Sequence, residues 1–207
     1  MPRLFTESAT FPSRESPSWR RLFSAKVLVT ALAFGLAAAA LVLAGVVVPV
    51  SGTTMVMDPR EIFTTLGSAL CGPAGAIIIA VLVSFVDPNV SLRPISFLYH
   101  LTGGLWVCFA YRSLIRRNWP SWGLIGGWIF IVLADYYLVM GATGLIAGYL
   151  LPKITVHSIT HEIFEGRQTG EAVLFWLYSV IPEAAIVTFI TTMILGLLPK
   201  KYRQPLW

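Results

Sequence analysis

Polar and apolar positions along the 207-residue chain fall into blocks rather than alternating stripes. The first block, Val27–Val50, runs 24 residues without a charge, long enough to cross a hydrocarbon core of about 30 Å as a helix. Later blocks are Ile62–Val86, Ile95–Tyr111, Trp122–Leu151 (interrupted by Asp135) and Ala172–Leu198 (interrupted by Glu183). Blocks of this length predict buried helices on every face, not the single apolar stripe of a soluble surface helix. The pattern predicts an all-α, polytopic membrane protein in which residues 26–199 form one membrane domain. A Ser-, Pro- and Arg-rich segment, 1–25, precedes it as a flexible cytoplasmic tail, and a basic cytoplasmic tail, 200–207, follows. Val27–Val50 is too long for the 7–15-residue apolar core of a cleaved signal peptide, so it is read as a retained span.

The number of spans turns on Ile62–Val86. Taken whole it gives five helices; broken at Cys71-Gly72-Pro73-Ala74-Gly75 it gives six, the second and third short. Basic residues gather on the cytoplasmic side of membrane proteins and arbitrate between the two. Six spans with both termini cytoplasmic put Arg3, Arg14, Arg20, Arg21, Lys26, Arg112, Arg116, Arg117, Lys200, Lys201 and Arg203 inside, and only Arg60, Arg93, Lys153 and Arg167 outside. Five spans divide the same residues almost evenly. The charge pattern therefore favours six, in a multi-pass protein of the inner (cytoplasmic) membrane. Ile62–Gly72 rises only about 16 Å, which demands shielding of the polar residues before it by protein or water.

Composition agrees with the block pattern. Only 12% of residues are charged, against about 25% for a soluble domain, and mean hydropathy is +0.75. In this setting the net charge of +5 reports topology and not a nucleic-acid partner. Cys71 and Cys108, both in apolar blocks, are read as unpaired.

Ionisable groups inside apolar blocks are costly, which makes each a candidate for function. Arg60 and Glu61 stand before the broken hairpin, His100 and Asp135 lie inside blocks, and Glu183 follows Pro182. With Tyr136 and Trp176 as walls, these seven residues are the candidate solute-binding set. The alternatives are structural: a Tyr or amide partner for Asp135, an Arg60–Glu183 ion pair, a packed His100, and interfacial aromatics. His157 and His161 have a helical spacing compatible with a metal pair, but Glu165 stands where the zinc-protease motif needs its second His. The loop Pro152–Glu171 is therefore expected to cap the bundle without metal. No phosphate-binding loop, dinucleotide fingerprint or nucleophile triad is present, so no enzyme is expected. Ala31, Ala33, Gly35 and Ala37 form small-residue pairs four apart, which let helices approach closely in lipid.

The stretch Asp58-Pro59-Arg60-Glu61-Ile62, then Leu70-Cys71-Gly72-Pro73-Ala74-Gly75-Ala76, then Val86-Asp87-Pro88-Asn89, resembles the substrate-binding S components of energy-coupling factor (ECF) vitamin transporters. Phe97–Arg117, with Gly103 and Gly104, and Val180-Ile181-Pro182-Glu183 extend the likeness to about 180 residues. The family often has Asn just after the final-span Pro, where Glu183 and Ala184 stand here. The resemblance implies a six-helix subunit that captures a small vitamin-like solute near the outer surface, under the loops Ser51–Glu61 and Pro152–Glu171. It also implies a membrane coupling protein docked on the small residues of the first span, and cytoplasmic ATPases that consume ATP, with no cofactor bound by this chain. A weaker likeness, again in the Gly-Pro-x-x-Gly stretch, is to the five-helix receptor domain of autolysin-regulating histidine kinases. No output domain is expected after Leu198, which that reading would need. A third reading is an accessory subunit of a larger membrane complex.

Overall fold

A computed structural model describes residues 22–46, 48–49, 56–88, 90, 93–117, 119–150, 178 and 180–207. The described part is helical apart from a two-residue antiparallel ladder between β1 (Val48–Pro49) and β2 (Val56–Met57).

Helix α1 (Ala25–Leu43) starts where the Ser24 side chain accepts a hydrogen bond from the Val27 amide. It stops at Gly45, whose φ of 63° is left-handed. The Gly45 amide donates to the Val42 carbonyl and the Val46 amide to Leu41, the paired bonds of a Schellman cap. Helix α2 (Arg60–Phe85) is interrupted at Gly72, with φ 71° and ψ −161°. Pro73 follows, and its ring and missing N–H favour the break. The interruption reverses the chain. Gly67, before it, faces Ile79, after it, so closely that a Cβ at Gly67 would strike the Ile79 side chain. A Cβ on Gly104 would likewise meet Ser68 Oγ at 2.8 Å and Ala76 Cβ at 3.0 Å. In a straight helix Ser68 and Ala76 would be about 12 Å apart. The halves Arg60–Cys71 and Pro73–Phe85 are thus the two arms of a hairpin.

Helix α3 (Arg93–Arg116) packs along both arms of that hairpin. Helix α4 (Ser121–Ala134) runs through a π-helical turn (Asp135–Met140) into α5 (Gly141–Leu150) and lies antiparallel to α3. Three contacts fix that direction: Tyr111 against Trp128, Trp106 Nε1 donating to the Ile131 carbonyl, and Thr102 against Thr143. Helix α6 (Ile181–Leu197) runs antiparallel to α4. The Trp128 indole donates to Thr191 Oγ1 at 3.0 Å, and Tyr136 reaches back to Glu183. The main core, with Leu66, Val107, Tyr111, Trp128, Val132, Tyr136 and Val187, lies among α2, α3, α4 and α6.

The segment 200–207, set apart by charge alone, packs as part of the fold. Arg203 donates to the carbonyls of Leu198 and Gly196, and Tyr111 Oη donates to the Arg203 carbonyl. The Leu206 amide donates to Leu70 O at 2.8 Å. Trp207 then lies over the Gly72 turn, edge-on to Phe109 and under the Arg112 guanidinium at 4.1 Å.

Three described stretches are long and apolar enough to cross a membrane: Ala25–Leu43, Arg60–Phe85 and Ser121–Gly144. Ile181–Leu197 is apolar but shorter. The second stretch meets the length criterion only as a linear sequence, because its fold-back at Gly72 leaves two arms each below the usual span of about 20 residues. Large apolar side chains such as Leu36, Phe85, Phe109, Phe130, Phe189 and Leu197 point outward all round the bundle, as a lipid-facing surface requires.

The small residues of α1 divide between two faces. Ala31 and Gly35 are buried against the second arm of the hairpin, where a Cβ on Gly35 would meet Leu82 Cδ1 at 2.7 Å. Their close approach is therefore made to another helix of this chain. Ala33 is exposed and Ala37 half-buried.

Candidate functional site

The charges converge at the end of the hairpin opposite the Gly72 turn. At the entry to α2, Asp58 Oδ1 accepts the Arg60 amide at 3.0 Å, while Asp58 Oδ2 lies 2.6 Å from Arg60 Nε. Burial pushes the Asp58 carboxyl above its ordinary value, against the pull of the neighbouring guanidinium. Arg60 Nε also lies 3.5 Å from Glu61 Oε1, and His100 Nδ1 approaches the same oxygen at 3.5 Å. The other Glu61 oxygen, Oε2, accepts the Thr64 hydroxyl at 2.8 Å. Glu61 is 5% exposed and His100 7%, so this carboxylate and imidazole are held inside the helix packing.

Asp135 reaches the same region from the other side. It opens the π-helical turn, whose extra residue per turn brings both Asp135 and Tyr136 into the interior. Single π-helical turns recur at functional sites. The Asp135 carboxylate rests on the bare backbone of Gly103: a Cβ there would lie 2.8 Å from Oδ1 and 3.2 Å from Oδ2. Tyr136 Oη donates to Glu183 Oε1 at 3.2 Å, giving the half-buried carboxylate of α6 a partner.

Between Glu61, His100 and Asp135 lies a cavity of about 10 Å³, completed by Thr64, Thr65, Ser68, Gly104, Val107 and Met140. That is room for about one water. A larger crevice of about 30 Å³, bounded by Tyr111, Leu114, Leu124, Trp128, Leu195 and Arg203, lies toward the other end of the bundle and is mostly apolar. It does not coincide with the charged cluster.

Six of the seven candidate residues fall within the described structure. Glu61, His100 and Asp135 share the cavity, Tyr136 and Glu183 form a pair, and Arg60 sits with Asp58 and Glu61. Trp176, His157, His161 and the loop 152–171 lie outside the described residues, as does most of the segment 1–25. Among the described residues no group of three or more His, Cys, Asp and Glu is arranged to hold a metal ion.

Sequence reasoning missed the hydroxyl wall of Thr64, Thr65 and Ser68. Its signal was present: in the apolar block Ile62–Val86 these residues recur at i, i+1 and i+4, one face of a helix. It also missed Gly103 as the residue that makes room for Asp135. Gly103→Ala is expected to displace the carboxylate and cost about 1–3 kcal/mol of stability, as overpacking does. Thermal unfolding in detergent checks this, and Gly103→Ala/Asp135→Ala should recover part of the loss, whereas an additive double variant would contradict the contact.

No family model, curated protein or solved structure matches the chain.

Proposed function

We propose that this chain is the substrate-capture subunit of an ECF-type importer, binding a small vitamin-like solute from outside the cytoplasmic membrane. The observation that carries the reading is the convergence of Arg60, Glu61, His100, Asp135, Tyr136 and Glu183, drawn from α2, α3, the π-helical turn and α6, on one end of an apolar bundle. Intramembrane charges facing a bundle interior mark solute or ion pathways. A discontinuous helix beside them, here broken at Gly72, is a recurrent transporter device.

In this reading the chain crosses the membrane six times, the hairpin arms counting as the second and third crossings, with both ends cytoplasmic. The Gly72 end is then the cytoplasmic end, in accord with Arg112 and Arg203 lying there. The charged cluster then faces outward. Because the cavity admits only about one water, solute entry requires the helices around it to part. Mixed charge and hydroxyl groups suit a polar heterocycle or a zwitterion, held by hydrogen bonds rather than by burial alone. The role is binding, with transport driven by ATP hydrolysis in cytoplasmic partners through a membrane coupling protein. Ala33 and Ala37 offer the small outward-facing positions on α1 for that docking.

Gentle purification followed by mass spectrometry of bound small molecules and co-purifying proteins tests the reading. The expected result is a stoichiometric polar solute, ATPase and coupling subunits, or both, with the solute lost in Glu61→Gln. Co-purification with a signalling kinase or a respiratory or photosynthetic core, and no solute, would overturn it.

A further inference from the structure

The small cavity beneath the charged cluster has a composition of its own. Asp135 is 3% exposed, and its Oδ1 is shielded from solvent with no hydrogen-bond partner among the described residues. A buried carboxylate oxygen left this way is costly unless something absent from the polypeptide meets it. Glu61 faces Asp135 across the cavity, bringing a second carboxylate into a volume of about 10 Å³. Arg60 Nε pairs with Asp58 at 2.6 Å and with Glu61 at 3.5 Å, so its single charge is divided between those two carboxylates and leaves Asp135 without a cationic partner among the described residues. Three hydroxyls, those of Thr64, Thr65 and Ser68, complete the wall, each on a residue no more than 6% exposed.

Carboxylate and hydroxyl oxygens are hard ligands and suit hard cations. Calcium takes six to eight oxygens, and magnesium keeps several of its waters, for which a one-water cavity has no room. The hard ion that fits is small, singly charged and stripped of its hydration shell. We propose that the chamber bounded by Glu61, Thr64, Thr65, Ser68 and Asp135 is a binding site for one monovalent cation of sodium size. The ion supplies the positive charge that Asp135 needs, and it ties the first arm of α2 to the π-helical turn. Since Gly103 and Gly104 hold α3 against both, occupancy of the site also sets how closely these three elements pack. The site needs no organic solute and so does not rest on the capture reading.

The test uses the full chain purified in detergent with choline chloride as the only salt. Equilibrium binding of radiosodium is expected to show one saturable site per chain, competed by lithium better than by potassium. Sodium chloride should raise the unfolding temperature above that in choline chloride of equal ionic strength. Asp135→Asn, nearly isosteric, should weaken sodium binding by about tenfold or more. If that variant does not fold, Thr65→Val provides the same comparison with a ligand oxygen removed. Absence of saturable radiosodium on the wild-type chain, with equal unfolding temperatures in the two salts, would mean that the chamber holds water only and would overturn the proposal. Unchanged sodium affinity in a folded Asp135→Asn would overturn it equally. Neither result bears on solute capture, which co-purification decides separately.

Discussion

Gly72→Ala is expected to lower the unfolding temperature of the purified protein more than any other alanine substitution in α2. At φ 71° and ψ −161° the residue occupies a region of backbone space open essentially to glycine alone. Forcing a side chain into such a region costs on the order of 1–3 kcal/mol. The second penalty is steric, because a Cβ at Gly72 would overlap the Trp207 indole. That indole is itself fixed by the Leu206 amide on Leu70 O, by Phe109 and by Arg112, so it cannot swing aside cheaply. The two penalties can be separated. Trp207→Ala in the Gly72→Ala background should relieve the collision and leave the backbone strain, recovering only part of the loss. A Gly72→Ala protein that unfolds like the wild type would mean that the chain does not reverse at this residue.

The second large effect is electrostatic. Arg60→Met keeps the unbranched stem of the side chain and removes the guanidinium whose Nε stands 2.6 Å from Asp58 and 3.5 Å from Glu61. Removing one partner of a buried pair costs about 3–5 kcal/mol and of an exposed pair under about 1; with Arg60 and Asp58 side chains 19% and 24% exposed, a loss of about 2 kcal/mol is expected near neutral pH. The pH dependence gives the loss a signature. The folded Asp58 carboxyl already titrates above its ordinary value of 3.8 because of burial, and Arg60 is the largest influence opposing that shift. Without Arg60 the folded value rises further. A carboxyl raised in the folded state favours folding while it is protonated, and that contribution disappears as pH rises through the folded value. Arg60→Met should therefore regain stability, relative to wild type, as pH falls from neutrality toward 5. Parallel pH profiles for the two proteins would show that Arg60 does not oppose the Asp58 charge.

Several features of the site could be read along the chain. His100, Asp135 and Glu183 stood out because an ionisable group in an apolar block is rare, and Glu61 because it stands just before the broken hairpin; the structure buries all but Glu183 almost completely. The break at Gly72-Pro73 was equally visible, since the two residues combine backbone freedom with a lost amide. The pairings were not readable. An Arg60–Glu183 ion pair was a reasonable alternative, yet Glu183 meets Tyr136 and Arg60 meets Asp58. Nor could the small residues of α1 be divided: Ala31 with Gly35 and Ala33 with Ala37 have the same spacing, and only packing against Ile79 and Leu82 distinguishes them. The segment 200–207 was legible only as a basic tail because charge was its only local signal, while its packing depends on Leu70, Tyr111 and Gly72 far earlier in the chain.

The sequence by itself determined that the chain is helical and suited to a membrane, that α2 breaks at Gly72-Pro73, and which ionisable groups lie among apolar neighbours. Each of these follows from properties that add up locally: transfer of side chains into hydrocarbon, the φ/ψ limits of glycine and proline, and end capping. Only the tertiary structure decided that Gly103 makes room for Asp135, that Thr64, Thr65 and Ser68 face it, and that Trp207 covers the Gly72 turn. These depend on the rotation and depth of one helix against another, which are set by close contacts between residues distant in sequence.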